Sequence, residues 1–117
     1  NNGEYVPDAL ADDQSLVVNT HKGLVVILGC THSGLINALD HVLAITGEDR
    51  IYAVIGGTHL KEASPVRLEK TIKALPQFGI QYFAGCHCTG FEASVALVRA
   101  LGDKFTYYYT GKIFRID

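Results

Sequence analysis

The chain has 117 residues, 48% of them hydrophobic and 19% charged, with a formal net charge of −2. That length holds a single domain, since separate cores need roughly 100 to 150 residues each, and the balance is that of a folded chain. Near-neutral charge gives no general drive toward nucleic acid or anionic lipid. The apolar run Leu24 to Leu28 is far short of the roughly 18 residues that span a bilayer, so neither nucleic acid nor a membrane is expected as a partner. Three cysteines without a signal-peptide pattern favour a reducing, cytoplasmic setting over a disulfide framework. Methionine is absent even at position 1, so the chain is expected to be a processed product or a piece of something longer.

In chain order, Asn1 to Asp13 carries Gly3, Pro7 and four acidic residues with no apolar period, which reads as a surface loop or an incoming strand. Ser15 to Thr20 and Leu24 to Gly29 are β-branched and leucine-rich runs around His21-Lys22-Gly23, the pattern of an antiparallel hairpin. Beyond Cys30-Thr31-His32-Ser33-Gly34, apolar Leu35, Ile36, Leu39, Val42 and Leu43 line one face of a helix. Arg50 to Gly57 reads as a buried strand ending in Gly56-Gly57-Thr58-His59. Ser64-Pro65 then opens a helix that Pro76 closes. Ile80 to Gly85 is a further strand, running into Cys86-His87-Cys88-Thr89-Gly90. Thr89 with Glu92 has the spacing of a capping box, and Phe91, Val95 and Val98 line the helix behind it, which stops at Gly102. Phe105 to Tyr109 and Ile113 to Ile116, around Thr110-Gly111-Lys112, read as a closing hairpin. The predicted order is β-β-α-β-α-β-α-β-β, an α/β chain whose alternating middle argues for parallel strands with helices packed on them.

A unit of strand, short Gly/Cys/Thr/His loop and helix recurs three times. Loops leaving the carboxyl ends of adjacent parallel strands open on one edge, where ligands gather in such folds. His32, His59 and His87 all sit in these loops, and three imidazoles converging on one rim match the ligand count of a catalytic zinc site that keeps a position open. Cys30, Cys86 and Cys88 stand beside them, each more typical of a small buried hydrophobe than of a ligand. In an extended segment, at most one of Cys86 and Cys88 faces the metal. His21 and His41 read as solvated. Neither a phosphate-cradling nor a dinucleotide-binding spacing is present, and no G-x-S-x-G elbow occurs.

Gly29-Cys30-Thr31-His32-Ser33-Gly34, Gly56-Gly57-Thr58-His59-Leu60 and Cys86-His87-Cys88-Thr89-Gly90, in that order, resemble the metallo-β-lactamase superfamily. More narrowly they resemble its group related to dihydropterin ribofuranosylaminobenzene-phosphate synthase, which Asp13-Gln14-Ser15-Leu16 also suits. The resemblance implies half of an αββα sandwich, with residues 1–117 the C-terminal half of a larger domain. The His-x-His-x-Asp-His loop of that family is absent from this sequence. By resemblance, His32 completes the first metal's ligand set and His87 belongs to the second. His59 falls where most members place a bridging aspartate, and it either ligates in the aspartate's stead or only contacts substrate. Up to two ions are implied in the complete enzyme, zinc before manganese or iron, with no catalytic side chain assignable here. An apolar sheet face should then be covered by the missing half or by a second copy.

The expected activity is hydrolysis of a phosphoester or related small molecule by metal-activated water. This chain would hold only part of the site and would be inactive alone. Two rivals remain at this stage. One is a non-enzymatic structural zinc module using Cys30, Cys86, His87 and Cys88. The other is a thiol redox protein, which requires a lowered thiol pKa.

Overall fold

The computed structural model describes residues 11–117. Most of the loop or strand expected over Asn1 to Asp13 lies outside the described residues, and 11–13 have no regular structure. Ser15–Thr20 (β1) and Gly23–Leu28 (β2) form the expected antiparallel hairpin, in register from Ser15 opposite Leu28 to Thr20 opposite Gly23. Leu35–Thr46 (α1) carries the chain to Ile51–Gly57 (β3), Pro65–Ala74 (α2) to Tyr82–Cys86 (β4), and Phe91–Leu101 (α3) to Phe105–Tyr107 (β5). The sheet order is β1-β2-β3-β4-β5, and every pairing after the first is parallel. The crossover helices make this possible, because a parallel neighbour needs a connection long enough to return the chain to the starting edge.

One face of the sheet carries the helices. Leu24, Val26 and Leu28 alternate along β2 toward Leu35, Leu39 and Val42 of α1, and Val54, Phe83 and Phe105 meet Ala93 and Leu97 of α3 in the same core. Burying each large side chain there contributes about 1.5 to 3 kcal/mol. Ser64 caps α2 as expected, its hydroxyl accepting from the Arg67 backbone N–H at 3.3 Å with Pro65 in the first turn.

The opposite face is barer. Leu16, Val18 and Ile27 are 60%, 40% and 41% exposed there, brought to one face by the pairing of Leu16 with Ile27 and Val18 with Val25.

Two local expectations fail. The second strand of the closing hairpin, Ile113 to Ile116, does not form. The chain leaves β5 at Tyr107, the Tyr108 N–H bonds to the Gly85 carbonyl at 2.8 Å, and Phe114 stacks on Tyr82 with ring centroids 4.7 Å apart. Aromatic packing onto β4 wins over backbone pairing. The capping box also fails. Gly90 is the N-cap of α3, with no side-chain cap, because Thr89 turns inward, is fully buried and accepts a hydrogen bond from the Thr58 hydroxyl at 3.0 Å. The α/β half-sandwich read from the sequence otherwise stands, one strand shorter than β-β-α-β-α-β-α-β-β.

Candidate metal centre

The parallel register aligns the carboxyl ends of three strands: Leu28 lies opposite Gly56, and Gly57 opposite Cys86. The loops that follow therefore leave from one edge and lock to each other. Thr31, almost wholly buried, donates its hydroxyl to the Gly57 carbonyl at 2.6 Å, and the Gly57 N–H donates to the Gly29 carbonyl at 3.0 Å. The His59 N–H points at Cys88 Sγ at 3.2 Å, and the Lys61 N–H donates to the Cys88 carbonyl at 3.1 Å. Gly57 is required by this closeness. A Cβ there would lie 2.7 Å from both Cys88 Sγ and the Gly29 carbonyl oxygen.

Each loop contains one non-glycine residue in the left-handed region: Thr31 at φ 63°, His59 at φ 49° and His87 at φ 51°. Such residues cost of order 1 to 3 kcal/mol each and persist only where the surroundings over-determine them. Here the crossed hydrogen bonds between loops do so.

Asp13 secures the first loop. Its carboxylate accepts from the Thr31 N–H at 3.1 Å, the Ser33 N–H at 2.9 Å and the Ser33 hydroxyl at 2.6 Å. Burial works against its charge, but the hydrogen bonds from Ser33, His32 and Thr31 outweigh burial and hold its carboxyl below the usual value. The neighbouring Asp12 carboxylate lies 3.3 Å from His32 Nδ1. Histidines that bind metal commonly donate their second ring N–H to a carboxylate. A proton on Nδ1 leaves the Nε2 lone pair free.

The expected histidines all lie on this edge, in two contacts. The His32 and His59 rings meet edge to face with centroids 4.8 Å apart. His87 instead meets sulfur, its Nε2 3.3 Å from Cys30 Sγ. Donor atoms of Cys30, His87 and Cys88 lie within 4.8 Å of one another. The hydrogen bond from His59 to Cys88 joins the two groups. Sequence reasoning gave Cys30 and Cys88 little weight, because residues 58 apart show no relation until the strands pair. It also gave Asp13 no part in the site, reading it only as one acidic loop residue at the head of the Asp13-Gln14-Ser15-Leu16 stretch.

Cys86 and Cys88 part company. Cys86 ends β4, whereas residues His87–Thr89 form a single 3-10 turn that swings Cys88 over Gly57. Burial, followed by the nearness of Cys30, pushes the Cys86 thiol up; burial, then Cys88 and the two aspartates, push Cys30 up. A thiol redox centre requires the opposite direction. Imidazole and thiol are both zinc-type donors, and the donor atoms of Cys30, His87 and Cys88 lie within 4.8 Å of one another. The donor set at this edge fits a divalent metal.

No family model matches the chain. It is 37% identical over 114 residues to 7,8-dihydropterin-6-methyl-4-(beta-D-ribofuranosyl)-aminobenzene-5'-phosphate synthase of Methanocaldococcus jannaschii, covering 97% of this chain and 39% of that protein. It is 32% identical over 114 residues to an uncharacterized protein of the same organism, covering 97% of this chain and 41% of the other. Its fold matches the crystal structure of Tm1679, a metal-dependent hydrolase of the β-lactamase superfamily, with a TM-score of 0.85 and 40% identity over 99% of this chain and 45% of that one. The chain thus spans less than half the length of each of these relatives. In sequence and in fold, this chain matches part of a metallo-β-lactamase-superfamily protein, as its three loop motifs imply.

Proposed function

We propose that this chain supplies part of the active site of a metal-dependent hydrolase acting on a phosphoester or a related small molecule, with His32, His59 and His87 as metal ligands. The observation that carries the reading is the gathering of all three imidazole loops on one sheet edge, with His32 and His59 in ring contact. The crystal-structure relative is a metal-dependent hydrolase, and the synthase relative is named for a 5'-phosphate compound, which favours a phosphorylated substrate. A bound divalent ion, zinc before manganese or iron, would supply Lewis acidity, making water nucleophilic at neutral pH and drawing charge from the attacked centre. The residues of this chain orient the donors: Asp12 fixes the His32 tautomer, Asp13 holds the loop around it, and Cys88 positions the His59 backbone. The rest of a larger sandwich, or a second copy, would cover Leu16, Val18 and Ile27 and complete the ligand set, and the chain alone would be inactive. Free thiols at Cys30, Cys86 and Cys88 suit a reducing, cytoplasmic setting.

A second reading has its own observation. The grouping of Cys30, His87 and Cys88 within 4.8 Å favours a thiolate-containing zinc site, which in a closed four-ligand form would be structural. Metal content and the spectrum of the cobalt-substituted protein separate the two. The hydrolase reading expects His32→Ala and His87→Ala each to weaken metal binding by at least about tenfold, and no thiolate-to-cobalt charge-transfer band. If both variants retain full metal while alkylation of the cysteines removes it, the hydrolase reading fails.

A further inference from the structure

Between α3 and the edge strand β5 lies a groove of about 650 Å³, with Phe91, Val95, Val98 and Arg99 on one wall and Phe105 and Tyr107 on the other. Phe91 is 82% exposed, Val98 50% and Tyr107 46%. We propose that this groove is a homodimer interface, filled by α3 of a second copy lying antiparallel to α3 of the first across a two-fold axis. The proposal goes beyond the hydrolase reading and stands apart from it, since no metal-type residue takes part.

Among the described residues, nothing roofs the groove. β5 is the last strand of the sheet, and no helix follows it. The tail beyond β5 goes to the other side of the sheet: Phe114 stacks on Tyr82, whose side chain alternates with core-facing Phe83 and so lies on the opposite face. The rest of the sandwich proposed above belongs on that face too, where Leu16, Val18 and Ile27 are exposed. The helix side is left to a separate partner.

Self-complementarity identifies that partner. Phe91, Val95 and Val98 recur at intervals of four and three residues, which places them on one stripe of α3. Glu92 and Arg99, seven residues apart and both exposed, flank this stripe on a common side. Seven residues rise about 10 Å along a helix, too far for an ion pair within one chain, and neither charge is paired among the described residues. Turning a second α3 end for end sets Phe91 against the partner's Val98 and Glu92 against the partner's Arg99. Each contact is then made twice, as an isologous interface requires. Ion pairs that flank an apolar seam between helices set partner and orientation in this way. A partner carrying one sign of charge satisfies only one of the two residues, whereas a second α3 satisfies both.

Sedimentation equilibrium of the 117-residue chain tests this. An interface built on one 11-residue helix pair is small, so the expected Kd is about 10 μM. Glu92→Arg and Arg99→Glu each set like charges opposite one another twice, and each should raise the Kd at least about tenfold. The double swap Glu92→Arg/Arg99→Glu should return it to within about threefold of the wild type. An equimolar mixture of the two single variants should do the same, because each then finds in the other the charge it lacks. That recovery also shows that the single variants are folded. Phe91→Ser should weaken the dimer by about tenfold. A wild type that stays monomeric at concentrations well above the expected Kd, single swaps that leave the dimer intact, or a double swap and mixture that fail to restore it overturns the proposal. Metal content is unaffected in every case, so the hydrolase reading is tested separately.

Discussion

The two ends of the parallel strands are built differently. At the amino end, where helices return to the sheet, the left-handed positions are glycines: Gly47 at φ 72° before β3, Gly79 at φ 67° before β4 and Gly102 at φ 56° before β5. At the carboxyl end Gly34, Gly56 and Gly90 also have positive φ, but each loop there adds one non-glycine residue in this region, Thr31, His59 or His87. Glycine takes this conformation without a steric penalty, whereas a β-carbon makes it costly. The amino-end turns are thus relaxed, and a Cβ at Gly47 or Gly102 would touch nothing within 4 Å. The carboxyl-end turns are held under strain by contacts between loops, and they carry the residues capable of metal chemistry. Strain of this kind concentrates at functional sites because it presents side chains in directions a relaxed turn does not offer.

Removing the contact that locks the strained end should have the largest effect. Gly57→Ala forces a Cβ against Cys88 Sγ and the Gly29 carbonyl, and is expected to lower stability by about 3 kcal/mol in urea unfolding, with metal binding lost as the loops separate. A variant that unfolds like the wild type would show that the loops are not tightly crossed.

Loosening one loop should cost less. Asp13→Asn removes the charge from three hydrogen bonds to Thr31 and Ser33 and is expected to cost about 1 kcal/mol. The pH dependence follows from the sign of the shift. Because the Asp13 carboxyl titrates lower in the folded chain than its ordinary value of 3.8, its contribution is complete above that value. It is lost as pH falls through the lowered one. The wild type should therefore lose more stability than the variant on acidification below about pH 4. Parallel acid unfolding curves for the two proteins would remove Asp13 from this role.

The smallest expected effect has the opposite sign. His59→Gly relieves the strain at φ 49° and should raise stability by about 0.5 kcal/mol, after the greater freedom of glycine in the unfolded chain is offset, while weakening metal binding. Gly47→Ala, the matched change at the relaxed end, should cost about 1 kcal/mol and leave metal binding untouched. If His59→Gly destabilises the protein, the left-handed turn is not a store of strain, and the contrast between the two ends fails.

Much of this architecture is legible along the chain. The hairpin at Ser15 to Leu28, the three helices and the placement of His32, His59 and His87 after strands follow from periods of two and 3.6 and from glycine punctuation. Ser64-Pro65 names its own helix start. Thr89-x-x-Glu92 has an equally good local signature and yet fails, because a hydroxyl partner on Thr58 claims Thr89 for the interior. The strand at Ile113 to Ile116 fails for a similar reason: Phe114 finds the Tyr82 ring. In both cases a partner distant in sequence outcompetes the neighbour that local reasoning supplies.

By itself the sequence determined the kinds of element, their order and the three loops that hold the histidines, since these depend on residues within a turn or two of one another. Which donors meet was decided only by tertiary structure. The alignment of β2 with β3 and of β3 with β4 brings His87 to Cys30 across 57 positions, sets His59 against His32, and lays Cys88 over Gly57. A slip of one residue in either pairing would turn the strand faces over and separate them.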